Sequence, residues 1–323
     1  MRMVNIGTTG ISVTELCHGT LVLGPLQANL TAEEGAKAIR KSFEMGVNFY
    51  DTAKGYQTYP HLALGLQEID RKQVVISSKS HCRSYDEMKA DVEECLEKLS
   101  LEQVGIFHLH QINSRDGLKN RKGALDCLVE YKNRGLVEAI GASVHTIPGL
   151  QAINEEPAID VVFPVLNRKG LGIIDGNLED MLATLDESKR LGKFVYFMKP
   201  LGGGHLDQEV EEAFKFLREL PSCDAVAVGM KDEAEIEMNV AIFNDQTLTE
   251  DLRKRVHTVA RRLAVYDRCT VCGLCIDACD QDALRLGDDK AVVDDSKCIL
   301  CGYCAAACPE YVIRVVLGDS GKW

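Results

Sequence analysis

The chain has 323 residues, 46% of them apolar and 27% charged, with a net charge of −12. That length exceeds a single small domain and suits a large domain followed by a small one. The acidic balance without a basic stripe argues against a nucleic-acid partner, and no apolar run is long enough to span a bilayer, so no membrane partner is expected.

Over residues 1–245, short β-branched runs alternate with longer amphipathic segments, the pattern of repeated βα units. Strands are predicted over 16–21, 48–51, 73–78, 104–110, 137–143, 160–166, 193–198 and 225–228, and helices over 33–45, 86–99, 121–134, 178–191, 208–217 and 233–243. Gly46, Gly135 and Gly192 follow three of these helices, where a C-terminus favours a residue tolerant of positive φ. Eight strands with crossover helices in this length match a (β/α)8 barrel of the TIM type. A doubly wound sheet would want a G-x-G-x-x-G turn after the first strand, which His18, Gly19 and Thr20 do not supply.

Such a barrel carries its chemistry at the C-terminal ends of the strands. Asp51 ends the second strand with Tyr56 in the following loop, Lys79 ends the third and His110 the fourth. Singly they read as a helix cap, a surface charge and a loop residue; together at one mouth they form a candidate site. His108, two residues before His110, is expected to be an inward core histidine.

The runs NFYDTAKGY, VVISSKS, VGIFHLH, IGASVH and KPLGGG, with the opening IGTTGISVTELCHGT, resemble the aldo/keto reductases over residues 1–245. The resemblance is closest to the branch with a C-terminal iron–sulfur extension. It implies a catalytic tetrad of Asp51, Tyr56, Lys79 and His110. Tyr56 would protonate the developing alkoxide, with Lys79 lowering its pKa. Asp51 would hold Lys79, and His110 would donate to the carbonyl oxygen. It also implies NADP(H) or NAD(H), with Ser143 and Asn167 at the nicotinamide amide, and Lys199, Leu201, Gly203, Gly229, Lys231 and Asn239 as further nucleotide contacts. Glycines in the loops after strands 7 and 8 let backbone N–H groups approach a phosphate. Two positions depart from the family: Met198 stands where an aromatic residue commonly stacks on the nicotinamide, and Phe163 and Pro164 stand where glutamine is common. These departures leave a flavin open as an alternative.

Residues 246–265 read as a linker helix, with Thr249 as N-cap and an apolar stripe of Leu252, Val256, Val259 and Leu263. Residues 266–323 carry Cys269-x2-Cys272-x2-Cys275-x3-Cys279 and Cys298-x2-Cys301-x2-Cys304-x3-Cys308 with Pro309 next. A zinc site wants separated pairs of ligands, and has no use for the third step. Disulfides need an oxidising compartment; MRMVNIGTTGISV lacks a signal peptide's apolar stretch, so a reducing cytoplasm is expected. The runs resemble a two-cluster bacterial ferredoxin, a small α+β unit in which the fourth cysteine of each run crosses to the other cluster. That implies one [4Fe–4S] cluster on Cys269, Cys272, Cys275 and Cys308, and a second on Cys298, Cys301, Cys304 and Cys279. Asp280 stands where the ferredoxins often have proline, and apolar strands are expected at 283–286 and 312–316. The acidic residues of this segment are expected to form a solvated face.

The whole predicts an oxidoreductase acting on a small carbonyl compound, with clusters passing electrons to or from a ferredoxin- or flavodoxin-type carrier. Two other functions stay open: an NAD(P)H-dependent reductase with structural clusters, and a non-catalytic electron-transfer or redox-sensing protein.

Overall fold

The computed structural model describes residues 1–7, 9–256 and 261–317. Eight parallel strands close into a barrel: β1 (Leu16–Gly19), β2 (Phe49–Asp51), β3 (Val75–Ser80), β4 (Val104–Leu109), β5 (Val137–Val144), β6 (Val161–Pro164), β7 (Phe194–Phe197) and β8 (Ala225–Gly229), which pairs with β1. Successive side chains point to opposite faces of a strand. Phe49, Ile106, Phe163, Tyr196 and Ala227 therefore fill the barrel, while Tyr50, Phe107, Val162 and Phe197 pack outward under the helices. An N-terminal hairpin, Met3–Asn5 with Ser12–Thr14, closes the bottom by adding Ile6, Ile11 and Val13 to the interior cluster.

The predicted helices are present to within a few residues, two of them opening on capping boxes, Thr31 with Glu34 and Ser84 with Glu87. The helix Ile147–Glu155 was not predicted. Pro148 and Gly149 look like a turn in sequence, but the proline stands in the helix's first turn, where its missing N–H costs nothing, and Thr146 caps the end.

His18 is fully buried, with its ring between Ser42 Oγ (2.9 Å) and the Met230 carbonyl (2.8 Å). Burial lowers its pKa from 6.5 to about 4. Between those values the unfolded chain binds the extra proton, so stability falls as pH falls through that window. At about 1.36 kcal/mol per pKa unit, this one residue accounts for about 3 kcal/mol between pH 7 and pH 4. Denaturant titrations at several pH values should give a shallower loss for His18→Gln; an identical slope would reject the assignment.

The predicted linker helix is corrected. Among the described residues of 246–265 only Glu250–Arg255 is helical, with Thr249 Oγ1 accepting from Leu252 N at 3.2 Å, and Leu252 and Val256 packed on the barrel's outer core. Val259 lies outside the described residues. Arg261–Val265 is a strand, β9, running antiparallel to a strand at Ile313–Leu317. Leu263 consequently belongs to the second unit's core. Its position fits a helical stripe and a strand alternation equally well, and a partner about fifty residues away in sequence decides between them.

The second unit adds a hairpin, β10 (Leu284–Leu286) with β11 (Ala291–Val293), and β12 (Ile313–Leu317). Its two short helices, Leu274–Asp277 and Tyr303–Ala307, each start from a glycine at positive φ, Gly273 (84°) and Gly302 (82°). The unit docks on the C-terminal mouth of the barrel. Gln27 donates to the Leu300 carbonyl (3.2 Å), His205 to the Cys298 carbonyl (2.8 Å), and Gln111 pairs with Asp280. Backbones meet at two glycines. A Cβ on Gly302 would lie 2.4 Å from the Leu26 carbonyl oxygen, and one on Gly203 would lie 2.2 Å from that of Ile299. Among the described residues no helix is long and apolar enough to cross a membrane.

Candidate active site

Asp51, Tyr56, Lys79 and His110 come together at the mouth, all at least nine-tenths buried. Asp51 is the last residue of β2, Tyr56 ends a short 3-10 turn at Lys54–Tyr56, Lys79 lies in β3, and His110 directly follows β4. Lys79 Nζ donates to Asp51 Oδ1 at 2.6 Å and to the Thr52 carbonyl at 2.7 Å. The ammonium also sits 5.1 Å from the centre of the Tyr56 ring. Burial pushes the Asp51 carboxyl up and the Lys79 ammonium down, and their mutual attraction opposes both shifts.

Residues outside the predicted set complete the site. Tyr196 donates to Asp51 Oδ2 (3.0 Å) and lies 2.9 Å from both His108 Nε2 and Ser77 Oγ. His108 is the fully buried barrel-core histidine expected. Tyr303 comes from the docked unit. Its hydroxyl is 3.2 Å from His110 Nε2, and its ring packs against Tyr56. No spacing rule could have found it, because 193 residues separate it from His110.

One expectation is overturned here. Lys79 was expected to lower the Tyr56 pKa, yet burial holds it well above 10, reinforced by Tyr303 and Asp51. Lys79 spends its short contacts on Asp51 and Thr52 and faces the phenol only across its ring, so burial outweighs its pull on the Tyr56 pKa. Burial likewise holds the His110 imidazole well below its ordinary value, so the ring is neutral.

A cavity of about 160 Å³ lies beside Tyr56 and Asp51, lined also by Phe163, Met198 and Gly19, and roofed by Ile299 and Cys301 of the docked unit. A larger open cleft, about 1220 Å³, lies at the opposite end of the barrel near Lys132, Asp160 and Lys193. Lys132 and Asp160 there are ion-paired and Lys193 donates to the Glu156 and Ile159 carbonyls, so the polar groups are already matched.

The sequence profile of the Aldo/keto reductase family matches residues 15–223, about two thirds of the chain. The chain belongs to the aldo/keto reductase family. A 4Fe-4S dicluster domain profile matches residues 262–309. Among curated relatives, L-galactose dehydrogenase of Arabidopsis thaliana is 26% identical over 63% of this chain and 66% of its own length. A D-threo-aldose 1-dehydrogenase of a Pseudomonas species is 22% identical over 59% of this chain and 74% of its own. The chain thus spans about two thirds of the first of these relatives. Solved aldo/keto reductases share the fold: one from Bacillus halodurans, in its holo form, aligns with TM-score 0.64 at 17% identity over 83% of this chain and 99% of that one. Another, from Brucella melitensis, aligns with TM-score 0.60 at 17% identity over 79% and 97%.

The cysteines of the second unit group as two sets. Cys269, Cys272, Cys275 and Cys308 line one internal cavity, and Cys279, Cys298, Cys301 and Cys304 line another. Each set mixes three cysteines of one run with the fourth of the other, and thiol donors around a closed space suit an iron–sulfur cluster. Of the remaining five, Cys17, Cys95, Cys127 and Cys223 are buried and Cys82 is partly buried.

The residues expected at a nicotinamide dinucleotide divide. Lys199, Leu201, Gly203 and Gly229 line the 160 Å³ cavity, whereas Ser143, Asn167, Lys231 and Asn239 do not. Ser143 Oγ accepts from Gln111 N (2.8 Å). Asn167 donates to the Leu171 and Lys199 carbonyls and accepts from the Lys169 and Leu171 amides, at 2.8–3.3 Å. Lys231 is paired with Asp232 and Glu235. Asn239 is buried in the helix Glu233–Phe243, its Oδ1 without a partner among the described residues.

Proposed function

We propose that this chain reduces a small carbonyl compound at the Asp51–Tyr56–Lys79–His110 site, drawing electrons singly from an external carrier of ferredoxin or flavodoxin type. The balance is R2C=O + 2 e⁻ + 2 H⁺ → R2CHOH. Cys269, Cys272, Cys275 and Cys308 would hold one [4Fe–4S] cluster, and Cys279, Cys298, Cys301 and Cys304 the other; when bound, these supply one-electron transfer.

The chain's own residues account for the proton and the positioning. Tyr56, kept protonated by burial, gives its hydroxyl proton to the carbonyl oxygen. Lys79 places a positive charge beside that phenol, where negative charge develops as the proton leaves. Asp51, held by Lys79, Tyr196 and Ser77, fixes the ammonium in place. Tyr303, bonded to His110 and packed against Tyr56, passes a proton back to the phenol, which then supplies the second proton, to carbon, once both electrons have arrived. The observation that carries this reading is that Tyr56 and Cys301, from two different units, line the same cavity.

The test is anaerobic. The reconstituted protein is reduced with dithionite, excess reductant is removed, and the cluster EPR signal is followed on adding a panel of carbonyl compounds. Loss of the signal with one of them, together with formation of its alcohol, is expected. A persistent signal with every carbonyl, alongside NADPH-driven reduction, would reject the reading and leave the clusters structural.

A further inference from the structure

We infer that the docked segment Ile299–Tyr303 takes the place of a nicotinamide dinucleotide in this barrel, and that the remaining hole is a pocket for a carbonyl compound about one ring in size. The inference rests on the carbonyl-reduction reading above and narrows it. Four observations carry it.

The first is steric. The glycine loop after β7, the expected phosphate cradle, already has a backbone against it: a Cβ on Gly203 would meet Ile299 O at 2.2 Å, and His205 donates to Cys298 O. An anion bound to this loop would have to occupy the space of Ile299, which is 4% exposed. The second is volume. The cavity left is about 160 Å³, whereas pockets for drug-sized ligands run to about 300–1,000 Å³. An apolar hole of about 150 Å³ accommodates benzene, and a dinucleotide is several times larger.

The third is hydrogen-bonding capacity. A side-chain amide has two N–H donors and two acceptor lone pairs. Asn167 spends all four on the segment 169–171 and on Lys199 O, leaving nothing for a nicotinamide carboxamide. The fourth is charge. Lys231, expected among the nucleotide contacts, is flanked by Asp232 and Glu235 and paired with both. Each observation has its own cause, and together they leave a dinucleotide too little room and only Lys199, Leu201, Gly203 and Gly229 of its expected contacts.

The cavity itself suits a small molecule with one polar end. Leu21, Val22, Phe163 and Met198 form an apolar wall, and Tyr56, Asp51, Lys199, Gln27 and Arg261 supply the polar side. A carbonyl oxygen directed at Tyr56 places the rest of the molecule against this apolar wall, under Cys301.

Binding measurements on the oxidised holoprotein, with both clusters in place and no turnover, test the inference. Titration calorimetry with NADPH and with NADH should give no saturable heat up to about 1 mM. Hydrogen exchange at residues 201–206 should be unchanged by 1 mM NADPH. Benzaldehyde, as the one-ring probe, should bind saturably, and Ala227→Leu, which fills the cavity from β8, should weaken it at least tenfold. One-to-one NADPH binding in the micromolar range, or slower exchange at 201–206 on adding it, would overturn the exclusion. Absence of benzaldehyde saturation, or equal affinity in Ala227→Leu, would overturn the pocket. None of these readouts involves cluster reoxidation, so the proposed function can stand or fall separately.

Discussion

Replacing Tyr56 by phenylalanine is expected to lower the turnover of carbonyl reduction by roughly 10²–10⁴-fold while leaving the cluster spectra unchanged. That is the usual contribution of a positioned general acid. Phenylalanine keeps the ring in the apolar contact with Leu26 and Ala53, so docking of the second unit should survive. The lost hydroxyl also frees Tyr303, whose own phenol stays within reach of His110, and rescue through Tyr303 would appear as the smaller end of that range. The pH profile gives a sharper check. Because burial holds Tyr56 well above 10, the acid form persists across neutral pH, and the reductive rate should show no decline from Tyr56 ionisation below pH 9. A wild-type profile falling between pH 6 and 8, absent in Tyr56→Phe, would mean a depressed phenol pKa and defeat this account.

The second large effect is on stability. Lys79 and Asp51 are 1% and 4% exposed and bonded at 2.6 Å. Removing one partner of a buried pair strands the other charge, at about 3–5 kcal/mol. Lys79→Met should therefore unfold at markedly lower denaturant concentration. It should also be inactive, since no cation then faces the Tyr56 ring. Asp51 relieves part of the cost by taking up a proton, so the variant should gain stability on acidification toward pH 5, opposite in sign to the His18 effect. Replacing both residues, as Lys79→Met with Asp51→Leu, removes the stranded charge and should recover most of the stability without recovering activity. A double variant no more stable than Lys79→Met would show that the loss comes from packing alone.

Much of this architecture was legible along the chain because its causes are local. β4 reads as a strand from six consecutive residues, and the helix Glu233–Phe243 from its cap at Asp232. The cysteine runs repeat at 29 residues, and their resemblance to two-cluster ferredoxins implies the two sets that line separate cavities. Asp51, Tyr56, Lys79 and His110 were legible as strand-end polar residues. Tyr303 was not, since its position beside Cys304 in sequence says nothing about the barrel, and only docking brings it to Tyr56. The strand at Arg261–Val265 was misread for the same reason: its partner lies far along the chain. Asn167 shows a subtler limit. The family resemblance put it at the nicotinamide amide, and only the geometry of its loop reveals that every bond is taken.

On the proposed function, the asymmetric burial of the cysteines would give electron traffic a direction. Cys272 is exposed, whereas Cys298 and Cys304 are buried and Cys301 faces the barrel cavity. On the proposed ligation the unit works as a wire with an outer terminal at the Cys269–Cys272 end and an inner one at the substrate. A carrier of the proposed kind would then never need to approach the reacting carbon, and its choice would be decided on a surface separate from the one that decides choice of substrate. Either terminal can change its partner without altering the other.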